Sequence, residues 1–247
     1  MNKFMWVTKV VAVIALVLLS LSPTKVGAGE GDAFHSAQAG AYAHYRQALF
    51  YARRENTMSA AFELEELSEK WAKLMSQFAG NPPALYAADA TWRDTLEGIA
   101  KRIDQALATA VEGDAKQAHD QLIPVREILS DLRQRNNVVI FSDHIDAANQ
   151  AFQKLFQFRR NPPDFADPVQ VRDLQGRLAE TISAYEKCRT EASPEVAENE
   201  QFQRLIEDSL FYLKRINVAI DEKNQLSVVN ILRRVVSSDN LLWMLFG

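Results

Sequence analysis

The sequence predicts an all-α fold, built as two tandem antiparallel helical-bundle units of about 80–100 residues related by an internal repeat. Three observations predict it. Apolar residues recur at three- and four-residue steps through most of the chain, the spacing that lines one face of an α-helix. Only 9 Gly and 8 Pro punctuate 247 residues, which is sparse for a β-protein that must turn often. The segment Gln77-Phe78-Ala79-Gly80-Asn81-Pro82-Pro83 returns about 80 residues later as Gln157-Phe158-Arg159-Arg160-Asn161-Pro162-Pro163.

Residues 1–28 read as a signal peptide. Lys3 and Lys9 give a positive start, Val10 to Leu21 an apolar core too short to span a bilayer, and Val26-Gly27-Ala28 small residues at the cleavage positions. An uncleaved anchor is the alternative. Cleavage after Ala28 removes Lys3, Lys9 and Lys25 and no acid, taking the net charge from -4 to -7. The mature chain is then expected to be periplasmic or secreted, with no stable membrane insertion. Its acidity and the lack of a basic stripe with interleaved aromatics argue against nucleic acid. The single cysteine, Cys188, excludes an intrachain disulfide and reads as a small hydrophobe on a helix.

The first helix is expected over Tyr42 to Phe78, with Leu49, Ala52, Ala60, Phe62, Leu64, Leu67, Trp71 and Leu74 recurring mostly at three- and four-residue steps as its apolar face, and a bend near Asn56-Thr57. Gly80-Asn81-Pro82-Pro83 ends it, since proline cannot continue the hydrogen-bond ladder. The second runs from about Ala88 to Val111. Gly113-Asp114 turns the chain, and Asp114 caps a third helix that reaches about Asn136 and kinks or breaks at Pro124. Val138-Val139-Ile140-Phe141 has strand propensity but no partner, so it is read as a staple leading into a fourth helix from Ser142 to about Arg159. Three more follow, at roughly Pro168 to Cys188, Pro194 to Ile220 and Asn224 to Phe246. The repeat pairs Arg93-Asp94, Ala100 and Ile103 with Arg172-Asp173, Ala179 and Ile182. It also pairs Leu129, Leu132, Arg133 and Asn136 with Leu210, Leu213, Lys214 and Asn217. Units are therefore placed at 29–140 and 141–247, with the fourth helix available to either.

Pro82-Pro83, Tyr86, Trp92 and Gly113-Asp114, followed by Ala118, Leu122 and Val125, resemble the cytochrome c-prime family over roughly residues 42–136. The resemblance implies a four-helix bundle whose last helix would carry a Cys-x-x-Cys-His haem site. That site falls on Leu129-Ser130-Asp131-Leu132-Arg133, and in the repeat on Leu210 to Lys214. Leucine has no thiol for a thioether, and arginine has no lone pair for iron. The scaffold is expected to persist without the redox chemistry, its haem cavity filled by side chains.

No other constellation supplies chemistry. His35, His44, His119 and His144 form no H-E-x-x-H or Glu-x-x-His pair. His35, with Glu30 and Asp32, is expected in a polar N-terminal arm. Met58 and Met75 with His119 or His144 are the only internal candidates for holding haem non-covalently. Glu63, Glu65, Glu66 and Glu69 read as a solvated face, with Glu66 and Lys70 at pairing distance. Arg53-Arg54 and Arg159-Arg160 read as surface pairs near helix ends. Tyr42, Tyr45, Phe50 and Tyr51 read mostly as core, and the apolar Leu241 to Phe246 is expected to dock into the bundle or a partner. No catalytic, cofactor or metal residues are assigned, and no cofactor is expected. The chain is read as a non-enzymatic accessory, adaptor or sensory module working through a protein partner or self-association. The alternative is a bundle that binds haem or a metal non-covalently.

Overall fold

The computed structural model of the protein describes residues 28–247; the predicted export segment, up to Gly27, lies outside them. Among the described residues the regular elements are all helical, as the periodicity predicts. They are α1 (Ala28–Ala52), α2 (Thr57–Phe78), α3 (Trp92–Val111), α4 (Ala115–Leu122), α5 (Pro124–Arg135), α6 (Phe141–Phe156), α7 (Pro168–Glu191), α8 (Pro194–Ala197), α9 (Glu200–Asp221) and α10 (Gln225–Phe246). No helix among them is long and apolar enough to cross a membrane.

Their buried side chains gather in two clusters. One runs from Phe34 to Val138 and draws on α1 to α5; the other runs from Ile145 to Leu242 and draws on α6, α7, α9 and α10. Each cluster is enclosed by a ring of helices. In the first, α1 packs on α2, α2 on α3, α3 on α4 and α5, and α4 back on α1. In the second, α6 packs on α7, α7 on α9, α9 on α10, and α10 back on α6. A single amphipathic helix cannot shield its own stripe, and a closed ring of four shields all of them.

The long first helix expected over Tyr42–Phe78 is two helices, and the reason is local. Glu55 adopts a left-handed backbone with φ of 56°. The Glu55 N–H then donates to Ala52 O at 3.0 Å and the Asn56 N–H to Tyr51 O at 3.1 Å, the paired bonds of a Schellman helix end. The Asn56 side chain accepts from the Ser59 N–H at 3.1 Å and starts α2 in the opposite direction. The same device ends α3 at Gly113 (φ 97°), before the Asp114 cap, and α9 at Lys223 (φ 51°), before the Asn224 cap. Only Gly113 carries the residue type that makes such a turn visible in a sequence.

The first helix also starts earlier than expected. His35 belongs to α1 rather than to a polar arm, and its neighbour Phe34 is fully buried. Phe34 packs edge-on against Phe78 and Tyr86, with ring centroids 5.4 and 5.5 Å away. Pro124 breaks the third predicted helix into α4 and α5, because it has no N–H to continue the ladder. The Val138–Phe141 segment forms no strand: Val138 is buried in the first core, and the Ile140 N–H donates to the Asp143 carboxylate at 3.0 Å to open α6. The helix predicted from Pro194 is interrupted by Asn199, which accepts from the Gln201 and Phe202 N–H groups, both at 3.0 Å, and starts α9 afresh.

Left-handed backbone costs a non-glycine residue on the order of 1–2 kcal/mol. Glu55→Gly is therefore expected to raise stability by about 1 kcal/mol, while Asn56→Ala lowers it by about 1 kcal/mol through loss of the cap. Urea unfolding of the two variants at pH 7 measures both changes, which should have opposite signs.

Candidate functional site

The positions that would hold a haem in the resembling family lie inside the first core. Leu129 and Leu132 are 1% and 0% exposed. The Arg133 guanidinium is buried and engages the Asp143 carboxylate, its Nε lying 2.9 Å from both oxygens. Two aliphatic side chains and a committed guanidinium offer neither thioether carbons nor an axial lone pair, so these residues do not fit a haem.

The histidines are spread over separate surroundings. His35 Nε2 lies 2.9 Å from the Tyr86 hydroxyl, and His44 Nδ1 lies 2.8 Å from Glu63 Oε2. Glu63 is thus a half-buried partner across α1 and α2 rather than part of a solvated face. His119 Nδ1 sits 3.3 Å from Asp120 Oδ1. His144 contributes its backbone oxygen to the buried Cys188 thiol at 3.1 Å. Burial pushes that thiol up to about 12, consistent with a packed, unreactive side chain. Met58 is 84% exposed, whereas Met75 packs against the first core. Among the described residues no three of His, Cys, Asp and Glu gather as a metal-binding group.

The polar chemistry that sequence reasoning missed lies where the two clusters meet. Trp243, on α10, packs against both of them. Its indole N–H donates to Asp146 Oδ1 on α6 at 3.0 Å, and Arg126 Nη2 on α5 reaches the same oxygen at 2.7 Å. The Arg126 guanidinium also lies 5.2 Å from the Trp243 ring centroid, a cation–π approach. From there the network runs inward. Arg126 Nη1 donates to Asn149 Oδ1 at 3.2 Å, Asn149 Nδ2 donates to Asp239 Oδ2 at 2.7 Å, and the buried Tyr185 hydroxyl donates to Asp239 Oδ1 at 2.6 Å. Asn149 thus has its amide orientation fixed from both sides. On the α1 side, Arg46 donates its Nε to Met244 O at 2.8 Å and Nη1 to Gly247 O, tying the first ring to the last turn of α10.

Burial governs the titration of this network. It raises the Asp146 carboxyl above the ordinary carboxylate range, against the pull of Arg126 and Trp243. It pushes Asp239 up to about 6, although Tyr185, Asn149 and Gln153 donate to it. It also raises the Tyr185 hydroxyl well above 10.0, and the carboxylate of Asp239 adds to the effect.

Above the network opens a cleft of about 770 Å³ between α1, α4, α5, α6 and α10. Phe50, Trp243 and Leu241 form apolar walls, and Arg53, Arg54, Arg126 and His119 supply basic groups. Arg53 and Arg54, read from sequence as a surface pair, are exposed as expected but stand at this rim. Arg159, from the other predicted surface pair, is half-buried, its guanidinium 5.0 Å from the Phe156 ring centroid. The C-terminal apolar run docks only in part: Leu242 is buried and Trp243 and Phe246 pack on the cores, while Leu241 and Leu245 stay 47% and 41% exposed. No family model matches this chain, and no curated protein or solved structure matches it either.

An acid whose folded value is raised takes up a proton on folding. Its ionisation cost is absent below the unfolded value near 3.8, grows as pH rises to about 6, and is fully present above that. For Asp239 this amounts to roughly 2–3 kcal/mol. Asp239→Asn removes that dependence, whatever constant cost the facing Asn149 amide adds. The stability difference between variant and parent in urea unfolding should shift by that amount, in the variant's favour, between pH 4 and pH 7.

Proposed function

We propose that the protein is an exported, non-enzymatic helical-bundle module that works by holding a protein partner, as an adaptor or sensory accessory. One observation carries this reading. Met58 and Phe62 on α2 and Val111 on α3 are 84%, 59% and 70% exposed, and they converge on one groove of about 570 Å³. Large apolar side chains gathered at a single groove mark a contact surface more than isolated ones do. The groove also carries Glu65, and exposed Glu112 follows Val111. The matching occupant is an amphipathic partner helix with basic residues beside its apolar stripe.

The scaffold in this proposal is a haem-less relative of the cytochrome c-prime bundle. The burial of Leu129 and Leu132 and the ion pair of Arg133 support that part of it. The proposal keeps two units at 29–140 and 141–247, related by the repeat. The repeat then sets α2, α3 and α4–α5 against α6, α7 and α9, which leaves each ring's fourth place to be filled from a different end of the chain. Two bundles of one ancestry, neither with a reactive centre, suit recognition better than catalysis.

A photo-crosslinking residue at Met58, introduced in the native host, tests the contact. A discrete adduct with a second protein is expected, and Phe62→Asp should abolish it with the melting temperature within about 2 °C of the parent, since the side chain is exposed. An adduct between two copies of the chain would replace the partner with self-association. Absence of any adduct at Met58, Phe62 and Val111 alike would refute the reading.

A further inference from the structure

We propose that the cleft between the two cores binds a small organic anion, one that joins a carboxylate or phosphate to an apolar body. This goes beyond the partner contact and uses a different surface. The size is right for such a molecule: about 770 Å³ lies within the range of small-molecule sites, and its position between two packed bodies is where such sites occur.

Charge selects the sign of the ligand. The whole chain carries 32 acidic residues against 28 basic ones, yet no aspartate or glutamate lines the cleft. Behind the lining, Asp146 offsets Arg126 through the 2.7 Å ion pair, Asp239 lies beneath Asn149 and Gln153, and Asp120 approaches His119. Arg53 and Arg54 have no carboxylate partner among the described residues, so they are the uncompensated charges at the rim. Capping the end of α1 explains only part of their presence. Arg54 reaches Phe50 O at 3.4 Å, but its guanidinium carbon also lies over the Phe50 ring, 3.5 Å from the centroid. That contact restrains the guanidinium, so fewer of its rotamers are lost when an oxyanion arrives. A bidentate contact to a carboxylate or phosphate then costs little ordering.

The walls select the body of the ligand. Phe50 from α1 and Trp243 from α10 provide apolar faces, with Leu241 partly exposed beside them. An inorganic ion would leave these faces wet, and a neutral apolar molecule would leave Arg53 and Arg54 unanswered. An anion with an apolar tail satisfies both.

Calorimetry on the mature chain tests this with decanoate, dodecyl phosphate, decanol and inorganic phosphate as probes, all below micelle-forming concentrations. One-to-one binding of decanoate or dodecyl phosphate is expected, with decanol and inorganic phosphate at least tenfold weaker. Arg53→Gln with Arg54→Gln should weaken the anion at least tenfold, with the parent's helix content retained in far-UV circular dichroism. Arg172→Glu, on exposed α7 surface, should leave affinity unchanged. Trp243 fluorescence should change on binding in the parent. The proposal is overturned if neither amphiphilic anion binds, if decanol binds equally well, or if the rim variant binds as the parent does. It is also overturned if flotation shows the chain binding phosphatidylglycerol vesicles while ignoring the soluble anions.

Discussion

The two cores meet across a largely buried ion pair, that of Arg126 with Asp146. Arg126 and Asp146 come from the helices on either side of the Asn137 turn, and both lose much of their water when the helices pack. A charge moved out of water costs several kcal/mol unless another charge and further hydrogen bonds meet it. Here each carries more than one partner: Asp146 accepts from Trp243 as well as Arg126, and Arg126 donates to Asn149 and faces the indole. Apolar packing alone would tolerate many relative positions of two bundles. Directional bonds to a pair of buried charges tolerate few, so this seam sets the alignment that the two greasy cores leave open.

That alignment makes the cleft. Its walls come from both rings, and its floor is the polar network itself, so neither cluster of helices possesses it alone. The exposed groove between α2 and α3 is different in kind, because it belongs wholly to the first ring. The two recesses share no lining residue, so the two occupants proposed above would not compete for the same side chains.

Much of the fold was legible in the sequence, and the losses have physical causes. Helical spacing placed α3, α6, α7 and α10 within a few residues, because long amphipathic stripes leave a strong periodic signal. The α1–α2 turn is legible only as a bend near Asn56-Thr57, because Glu55 takes the left-handed conformation usually associated with glycine, and Asn56 directly after it is the capping residue that marks the full break. His35 reads as part of a polar arm because its acidic neighbours mask a single aromatic anchor, Phe34. The seam was illegible for a deeper reason. Arg126, Asp146, Asn149 and Asp239 each sit on a helical stripe where a charge or amide looks like an ordinary edge residue. Only the packing of α5, α6 and α10 brings them together, and spacing along a chain carries no record of which stripes will meet.

The two rings are closed by helices from opposite ends of the sequence, α1 for the first and α10 for the second. During synthesis the first ring therefore has all its members once α5 has emerged. The second has all its members only when α10 emerges, directly after α9. Because Trp243 is in that late helix, the step that seals the second core is also the step that docks it to its neighbour. Ribosome order thus imposes a sequence of assembly in which an unfinished polypeptide presents a finished bundle beside an open one.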